Sequence, residues 1–498
     1  MSVARPYGER ALLLAVPPGV EPRALEATLR ARPDVADVIL TESLVCVVGR
    51  DDRPPARISL PDVATAASAP PPPPRAHEID VVYDGEDLAA VSDATGLDVP
   101  AVVARHAAAE HVVSMMGFMP GFAYLRGIDD TLALPRRASP RPRVPAGSLA
   151  ISAHYTGIYP FASPGGWHLI GRAVDFSPLV GGEPRFALGD RVRFRALDEA
   201  PTQPPARSTP PPPMPAGLRV GRSPGVVLVV DRGRVGRMGA GFPRSGPLVP
   251  SGATRANLAA HNDPGAPLLE VYGQLTLEAT GGTFDVADDT GTHARLAPGE
   301  SASFSSAGTR ARYVAVRGGV DVPHVMGSAS TLLVAGVGGF YGRALRRGDV
   351  IGVGHHAPTS PGGGADDVTD GPGGADPLET LEGPDSRDHA ADLAELARTT
   401  WRVARASDRT GTRLEPAAGA AREGAPASSR RASIPMIEGA VQLTPTGLVV
   451  LGPDHPTTGG YPVIAVLGRR ALDRLSSLPL GSEVRLRSPF DGRGNLPA

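Results

Sequence analysis

The sequence has 498 residues, of which 41% are hydrophobic and 20% are charged, and its formal net charge is −2. A length of this order predicts about three or four domains, and a net charge so close to zero argues against a nucleic-acid partner and against an anionic membrane surface. All 50 basic residues are arginine, because the sequence contains no lysine; this excludes a Schiff-base lysine, a P-loop lysine and a biotinyl-lysine carrier within the chain.

Glycine (61 residues) and proline (54 residues) exceed their ordinary usage, which favours short strands and turns over long helices. No window approaches 18 apolar residues and no signal-type segment opens the sequence, so we expect a soluble cytoplasmic protein without a membrane segment. The single cysteine, Cys46, lies in an apolar run and is expected to be a buried small hydrophobe.

The first 68 residues predict a small α/β domain. Ala11–Val16 has the composition of a strand, Glu21–Ala31 has the apolar spacing of a short helix with Pro22 near its start, and strands are expected at Val35–Leu40 and Ser43–Val48. This order of elements suits a compact split βαβ layer.

The next two segments, 76–198 and 217–355, contain short β-branched runs separated by Gly/Pro turns. Each ends with a similar Gly-polar turn before a strand, at Gly189-Asp190 and Gly348-Asp349, and Gly481-Ser482 repeats the pattern near the end of the chain. The repeated ending predicts a barrel-type element used more than once. The helical signal of Glu86–Ala109 is interrupted by Gly96 and Pro100, so two short helices are expected there.

Segments rich in Pro, Gly or Ala divide the chain into predicted domains and linkers. Five consecutive prolines end the first segment, and a further Ala/Ser/Arg stretch, 416–433, is expected to be disordered. The predicted division is a small α/β domain (1–68), a barrel (76–198), a Pro-rich linker (200–216), a β domain (217–355), a Gly-rich and acidic linker (356–400) and a second β domain (401–498).

The segment Gly117–Arg172 has more glycine, proline and arginine than a core requires. Glycines allow backbone N–H groups to approach a ligand, prolines fix the loops, and arginine guanidinium groups suit carboxylates or phosphates. Four arginines fall within eight positions: Arg136, Arg137, Arg141 and Arg143. The pattern indicates a pocket for an anion or an amide, although tight turns with solvated arginines would give the same composition.

This block resembles the signature of the Kip-type family, also called allophanate hydrolase subunit 1 or the B subunit of 5-oxoprolinase. The resemblance rests on Gly117–Leu125, Pro135–Ser148, Thr156–Pro160 and Ser163–Arg172, and it extends to the start of the chain through Gly8–Leu12. It implies an α/β domain followed by a cyclophilin-like β-barrel, so the expected fold class is mostly β with an α/β N-terminal domain and cyclophilin-like barrels.

Residues 217–498 resemble the partner family, the C subunit of 5-oxoprolinase or allophanate hydrolase subunit 2. The matching segments include Gly327–Thr331, Gly338–Leu345, Ser407–Leu414 and Thr457–Pro462. Where that family has glutamine, histidine and aspartate, this chain has Val230, Gly239 and Val249. These departures predict a second half that keeps its fold but has lost part of its chemistry, and the triple change back to the family residues is expected to raise turnover if the losses matter.

The resemblance implies ATP-dependent opening of a cyclic amide, 5-oxoproline, to glutamate, together with a separate partner of the 5-oxoprolinase A type. Magnesium normally accompanies ATP but has no signature here, and no protein metal site is expected because no Cys/His cluster occurs. His168 and Arg143 are predicted as catalytic residues. Phosphate binding is predicted for Arg136, Arg137 and Arg141, and substrate binding for Gly121, Tyr159, Gly165, Gly166, Trp167, Gly459, Gly460 and Tyr461.

Two other functions remain open at this point. The same folds resemble the carboxyltransferase domain of urea carboxylase, which would require biotin on another chain because this one has no lysine. Kip-type proteins also include inhibitors of sensor histidine kinases, so a binding module is a further alternative. His106 and His111, five positions apart, are expected to be structural residues and not metal ligands.

Overall fold

The computed structural model describes residues 4–16, 19–50, 53–56, 58, 71, 73–199, 214–354, 377–417 and 432–488. They form a small N-terminal α/β domain, two closed β-barrels and a sheet domain between the barrels. This confirms the predicted class, mostly β with an α/β N-terminal domain. Most of the predicted linker 200–216, residues 356–376 of the predicted linker 356–400, and most of the stretch 416–433 expected to be disordered lie outside the described residues.

The N-terminal domain is a four-stranded antiparallel sheet with one helix, in the strand order β1-β2-β4-β3. Its elements are β1 (Arg5–Tyr7), β2 (Ala11–Ala15), α1 (Pro22–Arg30), β3 (Val35–Leu40) and β4 (Leu44–Gly49). Helix α1 begins as its sequence predicts, because the Glu21 carboxylate accepts a hydrogen bond from the Ala24 amide at 2.7 Å and proline occupies the first turn.

The first barrel follows, with seven strands in the closed order β10-β7-β6-β15-β5-β12-β9. Its elements are β5 (Ala76–Val82), α2 (Leu88–Thr95), α3 (Val99–Ala108), β6 (His111–Met116), β7 (Ala123–Arg126), β8 (Arg141–Val144), β9 (Ser148–Ser152), β10 (Tyr155–Ile158), β11 (Ser163–Gly165), β12 (His168–Ala173), β13 (Leu179–Val180), β14 (Glu183–Pro184) and β15 (Arg191–Leu197). The two predicted short helices are confirmed: Gly96 ends α2 with φ of +70°, and Asp98 caps α3 by accepting from the Ala101 amide.

The middle domain is a nine-stranded sheet in which the long strand β18 pairs with four neighbours. Its elements are β16 (Gly217–Arg222), β17 (Gly225–Val230), α4 (Pro250–Ala259), β18 (Leu268–Thr280), β19 (Phe284–Asp288), β20 (His293–Leu296), β21 (Ser301–Ser305), β22 (Arg312–Val316), β23 (Val320–Asp321) and β24 (Val350–Val353). Its strands do not form a closed barrel within the described residues, unlike the expectation from its Gly-Asp ending.

The second barrel begins at Leu378, so the predicted boundary at residue 401 and the linker over 356–400 are wrong for residues 378–398. That stretch resembles a linker in sequence because helix α5 buries only Leu393 and Leu396, and its acidic residues Asp392 and Glu395 are half-buried. The elements are β25 (Leu378–Glu382), α5 (Ala390–Arg398), β26 (Thr400–Val403), β27 (Gly411–Pro416), β28 (Ile434–Pro435), β29 (Ala440–Thr444), β30 (Gly447–Leu451), β31 (Thr458–Gly459), β32 (Val463–Leu467), α6 (Arg469–Ser477) and β33 (Glu483–Arg487).

The two barrels share one topology. Read around the second barrel, the order β30-β27-β26-β33-β25-β32-β29 matches that of the first barrel strand for strand, and in both the last strand pairs in parallel with the first. The predicted Gly-polar turn precedes the last strand of all three larger domains, with φ of +79° at Gly189, +90° at Gly348 and +92° at Gly481. Glycine is required there because other residues rarely adopt a left-handed backbone.

The N-terminal domain packs against the second barrel, although that barrel begins only at Leu378. Tyr7 and Cys46 of the N-terminal domain share one buried cluster with Met436 and Val463 of the barrel. The prediction of a buried Cys46 is confirmed, since it is 0% exposed. Among the described residues, no helix has the length and apolar character needed to cross a membrane.

Candidate functional site

The loop between β6 and β7 of the first barrel contacts the motif segment 457–462 of the second barrel. The Phe118 amide donates a hydrogen bond to Thr458 Oγ1 at 3.1 Å. A Cβ atom on Gly117 would lie 2.0 Å from the same oxygen, so only glycine permits this approach. Tyr124, which follows the loop, is hydrogen-bonded to Thr458 and Ser433. The two motif blocks identified in the sequence, 117–172 and 457–462, therefore meet in space.

A cavity of about 170 Å³ lies beside this junction. Aromatic rings form part of its wall: Trp167 stacks with Tyr155 at a centroid distance of 6.4 Å and meets Tyr124 at 5.7 Å. The N-terminal domain contributes two residues and the second barrel two. The complete lining is Glu42, Ser43, Met115, Tyr124, Arg136, Ser152, Ala153, Tyr155, Trp167, Ala432 and Ser433.

The cavity offers one cation and neutral hydroxyl donors. Arg136 is the one of the four motif arginines that lines it. Burial raises the pKa of Tyr124, an effect that the Arg136 charge only partly offsets. Burial likewise raises the pKa of Tyr155 to about 12, and the hydrogen bond to Glu42 adds to the rise. Both phenols are therefore protonated at neutral pH. The Tyr155 hydroxyl donates to Glu42, so Tyr124 is the phenol that can donate a hydrogen bond to an oxygen of a bound molecule.

Two of the predicted phosphate-binding arginines are held by Asp87. Arg141 donates from both terminal nitrogens to the Asp87 carboxylate at 2.7 and 2.8 Å, and Arg137 Nη1 contacts the same group. Burial raises the pKa of Asp87, but these hydrogen bonds and charges, together with the Leu169 amide, outweigh it and lower the pKa below its usual value. A phosphate at Arg137 or Arg141 would have to compete with this buried carboxylate. Arg143 lies on the exposed part of β8, away from the cavity lining.

His168 begins β12 and does not line the cavity. Its Nε2 lies 2.8 Å from the Pro135 carbonyl oxygen, which makes Nε2 the protonated nitrogen of the neutral ring. Its Nδ1 is buried and has no hydrogen-bond partner in the described part of the chain. Proton transfer by His168 would therefore have to use Nδ1, and its catalytic role stays a prediction.

Several predicted substrate-binding residues serve packing. A Cβ on Gly165 would lie 2.4 Å from the Tyr159 hydroxyl, and a Cβ on Gly121 would lie 2.5 Å from Pro178. Tyr159 is 1% exposed, and burial raises its pKa to about 12. A Cβ on Gly166 would make only ordinary contacts. These residues shape the loops around the cavity, whereas Trp167 lies in its wall.

In the second barrel, β31 ends at Gly459, where a Cβ would lie 3.0 Å from Met436. Gly460 and Tyr461 follow, and the Tyr461 side chain is 38% exposed. Neither lines the 170 Å³ cavity. Thr458, which was not singled out, makes the contact between the barrels instead.

The cavity contains residues that the sequence did not identify. Tyr124 lies within the motif block but carries no signal that separates it from a core tyrosine. Glu42 and Ser43 come from the N-terminal domain, and Glu42 reaches the cavity through an ion pair with Arg126, whose guanidinium lies 5.3 Å from the Tyr155 ring centroid. Their participation follows from domain packing, which local sequence does not encode.

The three positions expected to have lost chemistry do not form one site. Val230 and Val249 belong to a buried apolar cluster under α4. Gly239 lies against the N-terminal domain, where a Cβ would come within 2.3 Å of the Val38 carbonyl oxygen and 2.4 Å of Arg30. A histidine at 239 would displace this packing, so the triple change to the family residues is expected to destabilise the protein and not to raise turnover.

Within the described residues, no group of three or more His, Cys, Asp or Glu side chains could hold a metal ion.

Comparison with known proteins places these domains in a family. Residues 2–178 match the family described as "Carboxyltransferase domain, subdomain C and D", and residues 240–488 match "Carboxyltransferase domain, subdomain A and B". The chain is 33% identical over 287 residues to the C subunit of 5-oxoprolinase from Escherichia coli K12, covering 54% of this chain and 89% of that protein.

Two further matches cover about a quarter of the chain and nearly all of it. The B subunit of 5-oxoprolinase from Escherichia coli O157:H7 is 47% identical over 122 residues, which is 24% of this chain; the matched part spans 56% of that protein, little more than half its length. The crystal structure of TTHA0988 is similar over 96% of this chain and 100% of its own, with 32% identity and a TM-score of 0.79.

Proposed function

The chain belongs to the carboxyltransferase-domain family, with subdomains C and D followed by A and B in one polypeptide, and on that premise we propose that it is a fused B and C component of a 5-oxoprolinase-type amidohydrolase. It acts with ATP and with a separate partner of the 5-oxoprolinase A type. The cavity at the junction of both motif blocks is the observation that carries this proposal.

The reaction needs activation because a lactam carbonyl is a poor electrophile. Transfer of the γ-phosphoryl group of ATP to the carbonyl oxygen of 5-oxoproline releases ADP and forms an activated imidate phosphate. Water then adds to the carbonyl carbon and the ring C–N bond breaks, which gives γ-glutamyl phosphate with a free amino group. A second water hydrolyses this acyl phosphate to glutamate and inorganic phosphate. Negative charge develops on oxygen in these steps, so fixed hydrogen-bond donors and cations are the groups that stabilise it.

The cavity suits the lactam. A volume of about 170 Å³ accommodates a five-membered ring with one carboxylate, and the flat faces of Trp167 and Tyr155 offer an apolar wall. Arg136 presents a planar guanidinium for the substrate carboxylate. Tyr124 supplies a neutral O–H donor for the carbonyl oxygen.

The test measures phosphate release from ATP and glutamate formation by the purified protein, supplied with a 5-oxoprolinase A-type partner of proven competence. We expect both products only when 5-oxoproline is present, and Arg136→Gln is expected to raise the KM for 5-oxoproline about tenfold or more, because a charge-assisted hydrogen bond is worth about 1.5–3 kcal/mol.

The control is Arg172→Gln, which removes an exposed arginine on β12 paired with Asp84 outside the cavity; its KM is expected to stay at the wild-type value. No 5-oxoproline-dependent phosphate release with a competent partner would refute the proposed activity, and an unchanged KM in Arg136→Gln would refute the placement of the substrate.

A second function, carboxyl transfer, is favoured by the description of both matching families as carboxyltransferase domains. The chain has no lysine to carry biotin, so this activity would need a biotinylated partner. Turnover that requires such a partner, and that avidin abolishes, would support carboxyl transfer and contradict the lactam reaction.

A further inference from the structure

A larger cleft, of about 420 Å³, lies where the N-terminal domain, the middle domain and the second barrel meet. It is separate from the aromatic cavity and shares no lining residue with it. Five arginines and four carboxylates line it, together with small and apolar residues. The charged lining residues are Glu9, Arg10, Asp231, Arg232, Arg244, Glu438, Arg469, Arg470 and Asp473.

The four carboxylates are already engaged by the protein. Asp231 accepts hydrogen bonds from the Gly233 and Ala329 amides and from two serine hydroxyls, Ser328 and Ser330. The other three are likewise paired: Asp473 accepts from the amide and hydroxyl of Ser251, Glu9 accepts from the Arg469 amide, and Glu438 pairs with Arg10. Each carboxylate thus has part of its charge offset locally.

Two arginines retain donors that face the cleft. Arg232 uses one terminal nitrogen for Asp263 at 2.7 Å, and its side chain is 65% exposed. A Cβ on Gly265 would lie 1.9 Å from Arg232 Nε, so the glycine is what lets this side chain lie along the wall. Arg470, in the first turn of α6, makes no hydrogen bond or ion pair to any other residue in the described part of the chain.

We propose that this three-domain cleft is a binding site for a phosphate-bearing small molecule, with Arg232 and Arg470 as the groups that contact the phosphate. Arginine forks match phosphate oxygens in pairs, and both side chains are hydrated enough to bind an anion reversibly. Arg244 supports the site by donating from Nε to the Arg232 carbonyl. The cleft volume of about 420 Å³ falls within the range that holds a nucleotide-sized ligand. The volume of the aromatic cavity, about 170 Å³, lies below that range.

This inference goes beyond the proposed reaction and does not depend on it. Binding is measured by calorimetry on the full-length protein with ATP, tripolyphosphate, inorganic phosphate and glutamate as separate ligands. We expect ATP or tripolyphosphate to bind, with an affinity that falls as salt is raised. Tripolyphosphate binding as tight as that of ATP would assign the site to the phosphate chain, and tighter ATP binding would assign it to a nucleotide; both outcomes support the proposal.

The double variant Arg232→Gln/Arg470→Gln is expected to weaken this binding about tenfold or more. Arg295→Gln is the matched control. Arg295 is an exposed arginine on β20, outside the cleft, and its single aspartate partner is Asp285 on β19. Thermal unfolding checks that the variants fold, as expected for exposed side chains.

Three outcomes would overturn the proposal: no binding of any phosphate compound, binding unchanged in the double variant, or binding of glutamate alone. Loss of lactam hydrolysis with phosphate binding intact would count against the proposed function and leave this site standing. Loss of phosphate binding in the double variant with the KM for 5-oxoproline unchanged would show that the cleft and the aromatic cavity are separate sites.

Discussion

At the scale of single residues, His106 and His111 form a buried pair inside the first barrel. Their ring centroids are 5.0 Å apart and both pack on Phe194. His106 bonds to the hydroxyls of Tyr83 and Thr156, so the structural role predicted from the five-residue spacing agrees with their surroundings. Burial, and for His106 also the charge of His111, lowers both pKa values, that of His111 to about 4.

This pair predicts a loss of stability in acid. The unfolded chain titrates these histidines near pH 6.5, whereas the folded barrel keeps them neutral down to about pH 4 for His111. Between these values the unfolded state binds more protons, so the free energy of unfolding falls as pH falls, by up to about 1.4 kcal/mol per pH unit for each histidine. Urea unfolding at pH 7.5, 6 and 5 measures this slope.

His111→Phe is expected to remove part of that slope between pH 6.5 and 4. His154→Phe is the control, because His154 is 63% exposed and should leave the slope unchanged. If His111→Phe showed the same pH dependence as the wild type, the buried imidazole would not be its source.

The candidate site shows which residue roles sequence can indicate. The composition of 117–172 indicated that its loops surround a cavity, and Arg136 and Trp167 do line one. It could not indicate that Arg137 and Arg141 are held by Asp87, because that partner comes from a loop 50 residues earlier. The residue type shows that an arginine can bind a carboxylate or a phosphate, but the group that it does bind is determined by tertiary packing.

At the scale of elements, helix α4 is capped by another domain. Its N-cap position holds Val249, whose side chain cannot accept a hydrogen bond. Asp473 on helix α6 replaces the missing cap, since its carboxylate accepts from the Ser251 amide at 3.0 Å and from the Ser251 hydroxyl at 2.6 Å. Val249 stands where the related family has aspartate. The carboxylate missing from this position is supplied by Asp473, from across the domain boundary.

We therefore expect Asp473→Ala to destabilise the protein by about 1 kcal/mol, the usual loss for a helix cap, as a lower midpoint in urea unfolding. Asp473→Asn keeps an acceptor and should lose less. Asp392→Ala is the comparison, because Asp392 lies in the first turn of α5 and pairs with His389 of the same domain. Equal stability of Asp473→Ala and wild type would show that α4 does not need this cap.

Most elements were predictable because their signals are local. Pro22 and Glu21 mark the start of α1, and Gly96 separates α2 from α3. Strand β25 and helix α5 were missed because their few buried residues are set among acidic and small ones. The assignment of β25 depends on β32 and β33, the strands with which it pairs, and these lie 80 or more residues away in the chain.

At the scale of the whole molecule, two barrels of equal topology place equivalent strands, β11 and β31, in the two motif blocks. At the end of each of these strands, two glycines are followed by an aromatic residue: Gly165-Gly166-Trp167 at β11 and Gly459-Gly460-Tyr461 at β31. The repeat was predicted from the closing glycine turns alone, because the loops differ and a nine-stranded sheet separates the two barrels. Barrel topology is set by long-range pairing, which leaves little trace in a single sequence.

A buried ion cluster joins the second barrel to the middle domain. Arg409 donates to both oxygens of Asp454 at 2.8 and 3.0 Å and contacts Glu270, whose side chain is fully buried. Glu270 also accepts from the Tyr313 and Tyr272 hydroxyls and from the Leu248 amide. A charge this deeply buried is tolerated only while it is paired.

Arg409→Met is therefore expected to cost about 3–5 kcal/mol, because it leaves Glu270 and Asp454 as uncompensated buried carboxylates. Adding Glu270→Gln, which keeps hydrogen-bonding atoms but removes one of the two charges, should recover part of that loss, so the two substitutions will not be additive. A double-mutant cycle in urea unfolding measures the coupling between the domains. Additive losses would mean that Arg409 and Glu270 do not stabilise each other, and the interface would then depend on its apolar contacts alone.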